Sequence, residues 1–175
     1  MRVACYKGDI ESLDWLFPMA YPFVDTEKIM KFPVLFGIVE IPEVLHVCLW
    51  PELGSNELWN RYAVGLHHRG RPVREERIIS VSEGVTEDFT DAEIDAVLGH
   101  EIAHWLYTDA VTDGEVEFKC DACIAAVIGR QPVISALGKV LLDTQRVSLV
   151  ATDGQIRIAA AGETMTIRKR IRALT

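Results

Sequence analysis

No apolar run in this chain approaches the roughly 18 residues that a membrane-spanning helix needs; stretches such as Val44 to Trp50 stop far short. The opening Met1-Arg2-Val3-Ala4-Cys5 has neither a charged leader nor the long apolar segment of a secretory signal. The expectation is a cytoplasmic chain without membrane contact. Basic clusters are also scarce: net charge is −8, and only Arg168-Lys169-Arg170 with Arg172 concentrates positive charge. Such a chain is a poor fit to a phosphate backbone, so no nucleic-acid partner is expected. The basic run instead suits the negative end of a helix. Cysteines number four, reduced in a cytosolic setting. They form one C-x-x-C, Cys120 to Cys123, with no second to complete a zinc ribbon, and the pair reads as small core residues of a helix. Internal repeats, linkers and low-complexity segments are absent. What remains is 175 residues, 49% of them hydrophobic, enough to bury a core as one domain over 1–175. Residues 1–25 are read as an N-terminal extension.

The chain is organised around the stretch from Thr90 to Asp121. Its centre is His100-Glu101-Ile102-Ala103-His104, an H-E-x-x-H pattern. On a helix, residues four apart share a face, so both imidazoles can converge on one ion. Glu101 is then placed to take a proton from a water that the ion activates. The surroundings favour a helix. Thr90-Asp91-Ala92-Glu93 is a capping box, and Ile94, Val97, Leu98, Ile102 and Trp105 recur at helical spacing. Gly99 costs a helix about 1 kcal/mol relative to Ala, so it signals crowding beside the histidines.

Asp109 to Gly114 reads as a turn and a second helix begins near Glu115, carrying Glu117 and Asp121 one turn apart. A catalytic zinc takes three protein ligands and leaves one position open. His100, His104 and Glu117 make such a set, with one Zn2+ as the cofactor. Asp121 lies behind it, to accept the other N–H of a ligating histidine and fix its tautomer.

Elsewhere the pattern predicts a short helix over 10–17 and a helix over 26–39 that Pro33 must start or kink. Strands are expected at 43–50, 61–67 and 76–82, the second and third joined by a turn at 68–72. The 61–67 strand is the candidate open edge for a substrate peptide. A long helix is expected at 132–143, a hairpin or cleft-crossing loop around Asp153-Gly154 within 147–159, and a last helix at 166–174. His46, His67 and His68 have no ligand spacing to the motif and read as structural or solvated. Cys5 is a candidate thiolate for capping the zinc in a latent form.

Asp91 to Gly99 leading into the H-E-x-x-H resembles gluzincin metallopeptidases of the HtpX and CAAX-protease group. Glu117-Phe118-Lys119-Cys120-Asp121 with Ala125-Ala126 resembles that group's glutamate helix. Gly129-Arg130-Gln131-Pro132, Ile134 to Val140, and Arg170-Ile171-Arg172-Ala173-Leu174 resemble its later segments. Only twelve residues separate His104 from Glu117, where membrane-bound members carry a long insertion. The chain is therefore similar to the minimal versions called minigluzincins. Thr164-Met165 occupies the region where a His-Pro often precedes the closing motif. The resemblance implies an α+β, zincin-like metallopeptidase domain, a small β-sheet packed on an active-site helix and a glutamate-ligand helix. It also implies zinc-dependent hydrolysis of a protein or peptide substrate, with Glu101 as base. Tyr107 and Arg170 are candidates for supporting the transition state. The alternative is a catalytically silent or latent zincin-fold module, against which the presence of Glu101 argues.

Overall fold

The computed structural model describes residues 1–7, 17–18, 23–50, 61–62, 64–71, 74–107 and 114–175. Five strands form one sheet in the order β2-β1-β3-β5-β4: β1 Arg2–Lys7, β2 Phe17–Pro18, β3 Val44–Trp50, β4 Val64–Arg71 and β5 Arg74–Ser82. β1, β3 and β5 run parallel, whereas β2 and β4 are antiparallel to their neighbours. The alternation of side chains explains how the sheet divides its residues. Cys5, Leu45, Val47, Ile79 and Val81 face the main core, while Tyr6, Cys48 and Ile78 form a small cluster of their own.

The strands expected at 43–50 and 76–82 appear as β3 and β5, but the turn expected at 68–72 does not: β4 starts at Val64 rather than Arg61 and its ladder with β5 carries on through Arg71, opposite Arg74. β4 is indeed an outer strand. β1 was not foreseen as a strand. Its six residues pair in parallel with β3, Val3 opposite Leu45 and Cys5 opposite Val47, so they are an integral part of the sheet. Cys5 is thereby buried, with burial pushing its thiol up to about 11. It packs in the core and does not reach the histidines as a thiolate.

The helix expected over 26–39 is two single-turn pieces, α1 Thr26–Ile29 and α2 Phe32–Leu35, with Pro33 in the first turn of the second. Proline has no N–H to continue the α1 ladder. Ile29 and Phe32 nonetheless reach the core fully buried. The helix expected over 10–17 and the turn over 109–114 fall outside the described residues, apart from Phe17 and Gly114.

Among the described residues, five α-helices follow the sheet's last strand: α3 Glu83–Asp88, α4 Asp91–Ala103, α5 Gly114–Ile128, α6 Arg130–Val150 and α7 Gly154–Leu174. The hairpin or loop expected at 147–159 is overturned. α6 continues to Val150, and α7 begins at Gly154. Asp153 is the reason: its carboxylate accepts from the N–H groups of Gln155 and Ile156, capping α7. Asp-Gly here starts a helix rather than turning a hairpin. α7 docks through Ala160, Ile167 and Leu174, spaced by sevens and buried. Gly129 separates α5 from α6 at φ 89° and ψ 160°, a backbone region essentially reserved for glycine. Among the described residues, no helix is long and apolar enough to cross a membrane.

Candidate active site

α4 is the central element, held at its start by the foreseen capping box. Thr90 Oγ1 accepts from the Glu93 backbone N–H at 3.4 Å, and Glu93 Oε2 accepts from the Thr90 N–H at 2.7 Å. Glu93 is buried, and α6 completes its shell: Ser135 Oγ donates at 2.6 Å and Lys139 Nζ at 2.7 Å. Burial alone would raise the Glu93 carboxyl, but these donors outweigh it and bring it down to about 2. Lys28 of α1 pairs with buried Asp95 on another side of α4. α4 is thus fixed against two elements before it reaches its histidines.

Gly99 marks the closest approach of α5. A Cβ at this position would lie 2.3 Å from Ile124 Cδ1 and 2.9 Å from its Cγ1, distances that real Cβ atoms do not tolerate. The glycine lets α5 come near enough for its acidic face to meet the histidines. That contact is close: His100 Nε2 and His104 Nε2 are 3.2 Å apart, and Glu117 puts Oε2 3.2 Å from the first and Oε1 3.3 Å from the second. Behind them, Asp121 Oδ1 lies 2.9 Å from His100 Nδ1.

Arg170 of α7 closes the cluster. Its Nε and Nη2 donate to the two carboxylate oxygens of Asp121 at 2.7 and 2.8 Å, and Nη1 lies 2.9 Å from Glu117 Oε2. This fork-on-fork pairing is among the strongest that side chains make. The Asp121 side chain is only 3% exposed; burial raises its carboxyl, but Arg170 and His100 prevail and hold it below the usual carboxylate range. Sequence reasoning singled out Arg170 for a different role. Its partners are visible only once α7 is in place.

The protons follow from these contacts. His100 Nδ1 faces a carboxylate and so carries a hydrogen, which leaves Nε2 as a lone pair pointing at Glu117 and His104. Ring nitrogens and a carboxylate converging in this way repel one another unless hydrogens or a positive charge sit among them. Without a metal that charge is a proton. Burial pulls the His100 pKa down, but hydrogen bonds to Asp121 and Glu117 overcome it and lift it to about 9. The same histidines hold the Glu117 carboxyl far below its ordinary value. A divalent cation would replace the proton. Tetrahedral bonds of about 2.0–2.1 Å put ligand atoms roughly 3.3–3.4 Å apart, and the observed separations of 3.2–3.3 Å fit that requirement.

Glu101 lies beside the set. His100, Glu101 and His104 offer ligand atoms all within 4.8 Å of one another. Burial pushes the Glu101 carboxyl up, partly offset by positive charge on His100 and His104. All of these residues open into one cleft of about 470 Å³. Tyr107 does not line it. Its residue lies in the 3-10 turn His104–Tyr107 and packs on Ala103, Val116 and Cys120, with Lys119 Nζ 5.8 Å from the ring centre. Cys120 is fully buried in that same cluster, and burial raises both its thiol and that of Cys123, in keeping with the core reading of the C-x-x-C. His46 stacks on Tyr6, ring centres 5.5 Å apart. The side chains of His67 and His68 lie outside the described residues.

Comparison with known proteins agrees with this geometry. No curated protein and no solved structure gives a match. A family model does: Peptidase family M48, whose members are typically zinc-dependent metallopeptidases, matches residues 53–154. That span takes in β4, β5 and the whole of α3, α4, α5 and α6. With more than half of its 175 residues matched, and with both histidines and both α5 carboxylates inside the match, the chain belongs to peptidase family M48.

Proposed function

We propose that this protein is a zinc metalloendopeptidase that hydrolyses peptide bonds of a protein or peptide substrate. The observation that carries the reading is the convergence of His100 Nε2, His104 Nε2 and the Glu117 carboxylate within 3.2–3.3 Å, at a cleft whose wall also holds Glu101. His100, His104 and Glu117 hold the ion. Glu101 also lies within ligating reach, but Glu117 has an oxygen close to each histidine, and Glu101 is thereby left for proton transfer. Zinc, when bound, supplies a Lewis acid that polarises a carbonyl and brings the pKa of water toward about 7.

Each remaining task falls to a side chain. Glu101 takes a proton from the attacking water and passes it to the leaving amine nitrogen. Burial raises its carboxyl above the ordinary glutamate value, which makes it a better proton acceptor than an exposed glutamate. Asp121 accepts from His100 Nδ1 and keeps the Nε2 lone pair aimed inward. Arg170 balances the charge of Asp121 and Glu117. Its three donor nitrogens are already engaged by their carboxylates, so it positions the site rather than receiving the developing oxyanion.

The test compares wild type with Glu101→Gln for metal content and for turnover of a diverse peptide library. About one zinc per chain in both proteins, with cleavage only by wild type, is the expected result. A loss of about 10²–10⁴ in rate is typical when a general base is removed. Zinc retained without turnover in either protein would favour a silent or latent module. No zinc in wild type would overturn the site assignment.

A further inference from the structure

The histidine–carboxylate cluster occupies only one end of the cleft. Beyond it, Tyr62 and, from α7, Glu163 and Thr166 also line the cleft, but the wall made by α4 and α6 is aliphatic. α6 contributes Val133, Ala136, Leu137 and Val140, spaced i, i+3, i+4 and i+7, so a single face of that helix forms one wall. Ala96 and Val97 of α4, Val64 of β4 and Ile167 of α7 add to the apolar part. The placement of Val97 ties this part to the chemistry. Val97 and Glu101 are four residues apart, so a group resting on Val97 sits about one helical turn, roughly 5.4 Å, from the general base. That is the reach of a side chain on a residue flanking the bond to be cut.

Burial sorts the α6 residues. Val133, Ala136 and Leu137 are almost wholly buried, whereas Val140 is half-buried and lines the cleft. The three buried residues are fixed by packing against the core, while Val140 stands where a larger or smaller side chain would change the free space. Between Val97, Ala136 and Val140 there is no charged side chain on this face of α6, because Lys139 is turned to Glu93 and Asp143 is turned to Arg61 and Arg146. A polar or charged substrate residue lying against this α4–α6 wall would find no partner on it and would lose its water.

We infer that the α4–α6 wall of the cleft forms a specificity pocket for a bulky aliphatic or aromatic residue next to the scissile bond, with Val140 setting its size. The inference rests on the peptidase reading and narrows it to substrates carrying such a residue. A hydrophobic pocket distinguishes side chains that differ by one methylene by about 10–200-fold. The preference for leucine or phenylalanine over glycine, aspartate or lysine at that position is therefore expected to be at least 10-fold.

The experiment profiles cleavage of a peptide library by the zinc-loaded full chain and by two variants of opposite sense. Val140→Phe fills the pocket and is expected to move the preference toward alanine and valine. Val140→Ala enlarges it and is expected to move the preference toward phenylalanine and tryptophan. Thermal melts check that both variants fold, and the two differ in direction, so a general loss of activity cannot imitate the result. Cleavage without any preference beside the scissile bond, or a preference that neither variant alters, overturns the pocket and leaves the peptidase intact. If wild type cleaves nothing, the proposed activity fails, and the pocket is judged by binding to zinc-loaded Glu101→Gln. Leucine- and phenylalanine-bearing peptides that bind at least 5-fold more tightly than their aspartate counterparts, with Val140→Phe in that background removing the difference, would support it. Equal affinities would overturn it.

Discussion

Two ends of α4 bury ionised groups, and they are built to opposite plans. At the N-terminal end, the Glu93 carboxylate receives Thr90, Ser135 and Lys139, so its oxygens are occupied by donors and its charge is matched by one cation. At the C-terminal end, His100, His104 and Glu117 bring acceptor atoms together with too few protons to go round, beside an open cleft. The first arrangement is complete and joins two helices. The second is one that a cation would complete. Burial of charge therefore does not by itself distinguish a joint from a reaction centre; the balance of donors and acceptors does.

The comparison breaks most visibly at Arg170. Arg170→Gln leaves Asp121 and Glu117 without their cation in a largely buried setting, which typically costs about 3–5 kcal/mol. Thermal denaturation of the metal-free variant should show this loss, and zinc should restore more stability to it than to wild type, since the ion supplies the missing positive charge. An equal zinc-induced rise in both proteins would mean that Arg170 is not balancing the site.

The two ends also separate by pH. The folded-state pKa of His100 in the metal-free protein is raised to about 9. Its contribution is full below the unfolded value of about 6.5 and is lost as pH climbs through about 9. Glu93 has the opposite sign. Its folded pKa is lowered to about 2, so its contribution is present above the unfolded value of about 4.3 and is lost as pH falls through about 2. Denaturant melts across pH should therefore show Glu93→Gln flattening the acid limb alone. Zinc should flatten the alkaline limb alone, because the ion displaces the His100 proton.

The smallest effect is expected from Gly99→Ala. The new methyl would collide with Ile124, an overpacking that costs about 1–3 kcal/mol, against about 1 kcal/mol gained in helix propensity. Calorimetry should report a net loss, and zinc affinity should fall with it, since Ile124 and Glu117 share α5. Unchanged zinc affinity would show that α5 yields elsewhere.

The candidate site was legible in the sequence because its patterns are local. H-E-x-x-H, E-x-x-x-D and the Thr90–Glu93 capping box are patterns within single helices, and the structure places their residues as helical spacing requires. The errors fall where tertiary context decides. Val147 to Val150 and Gln155 to Ile158 are β-prone runs around an Asp-Gly pair. Packing of Val147 and Ala160 into the core makes both helical, and Asp153 serves as a cap. β1 was missed because its six residues acquire meaning only beside β3. Tyr107 was placed by counting turns past His100, but the helix tightens to a 3-10 turn at His104, which changes the facing of every residue beyond it.

Arg170 is 49 residues downstream of the Asp121 it pairs with. At synthesis rates of about 5–20 residues per second, the histidines and carboxylates precede their balancing cation by roughly 2–10 s. During that interval α4 and α5 can already be joined through Gly99 and Ile124, while Asp121 and Glu117 repel. A nascent chain is thus exposed to whatever cations surround it before its own arrives, and metal capture at that stage would assist folding instead of following it.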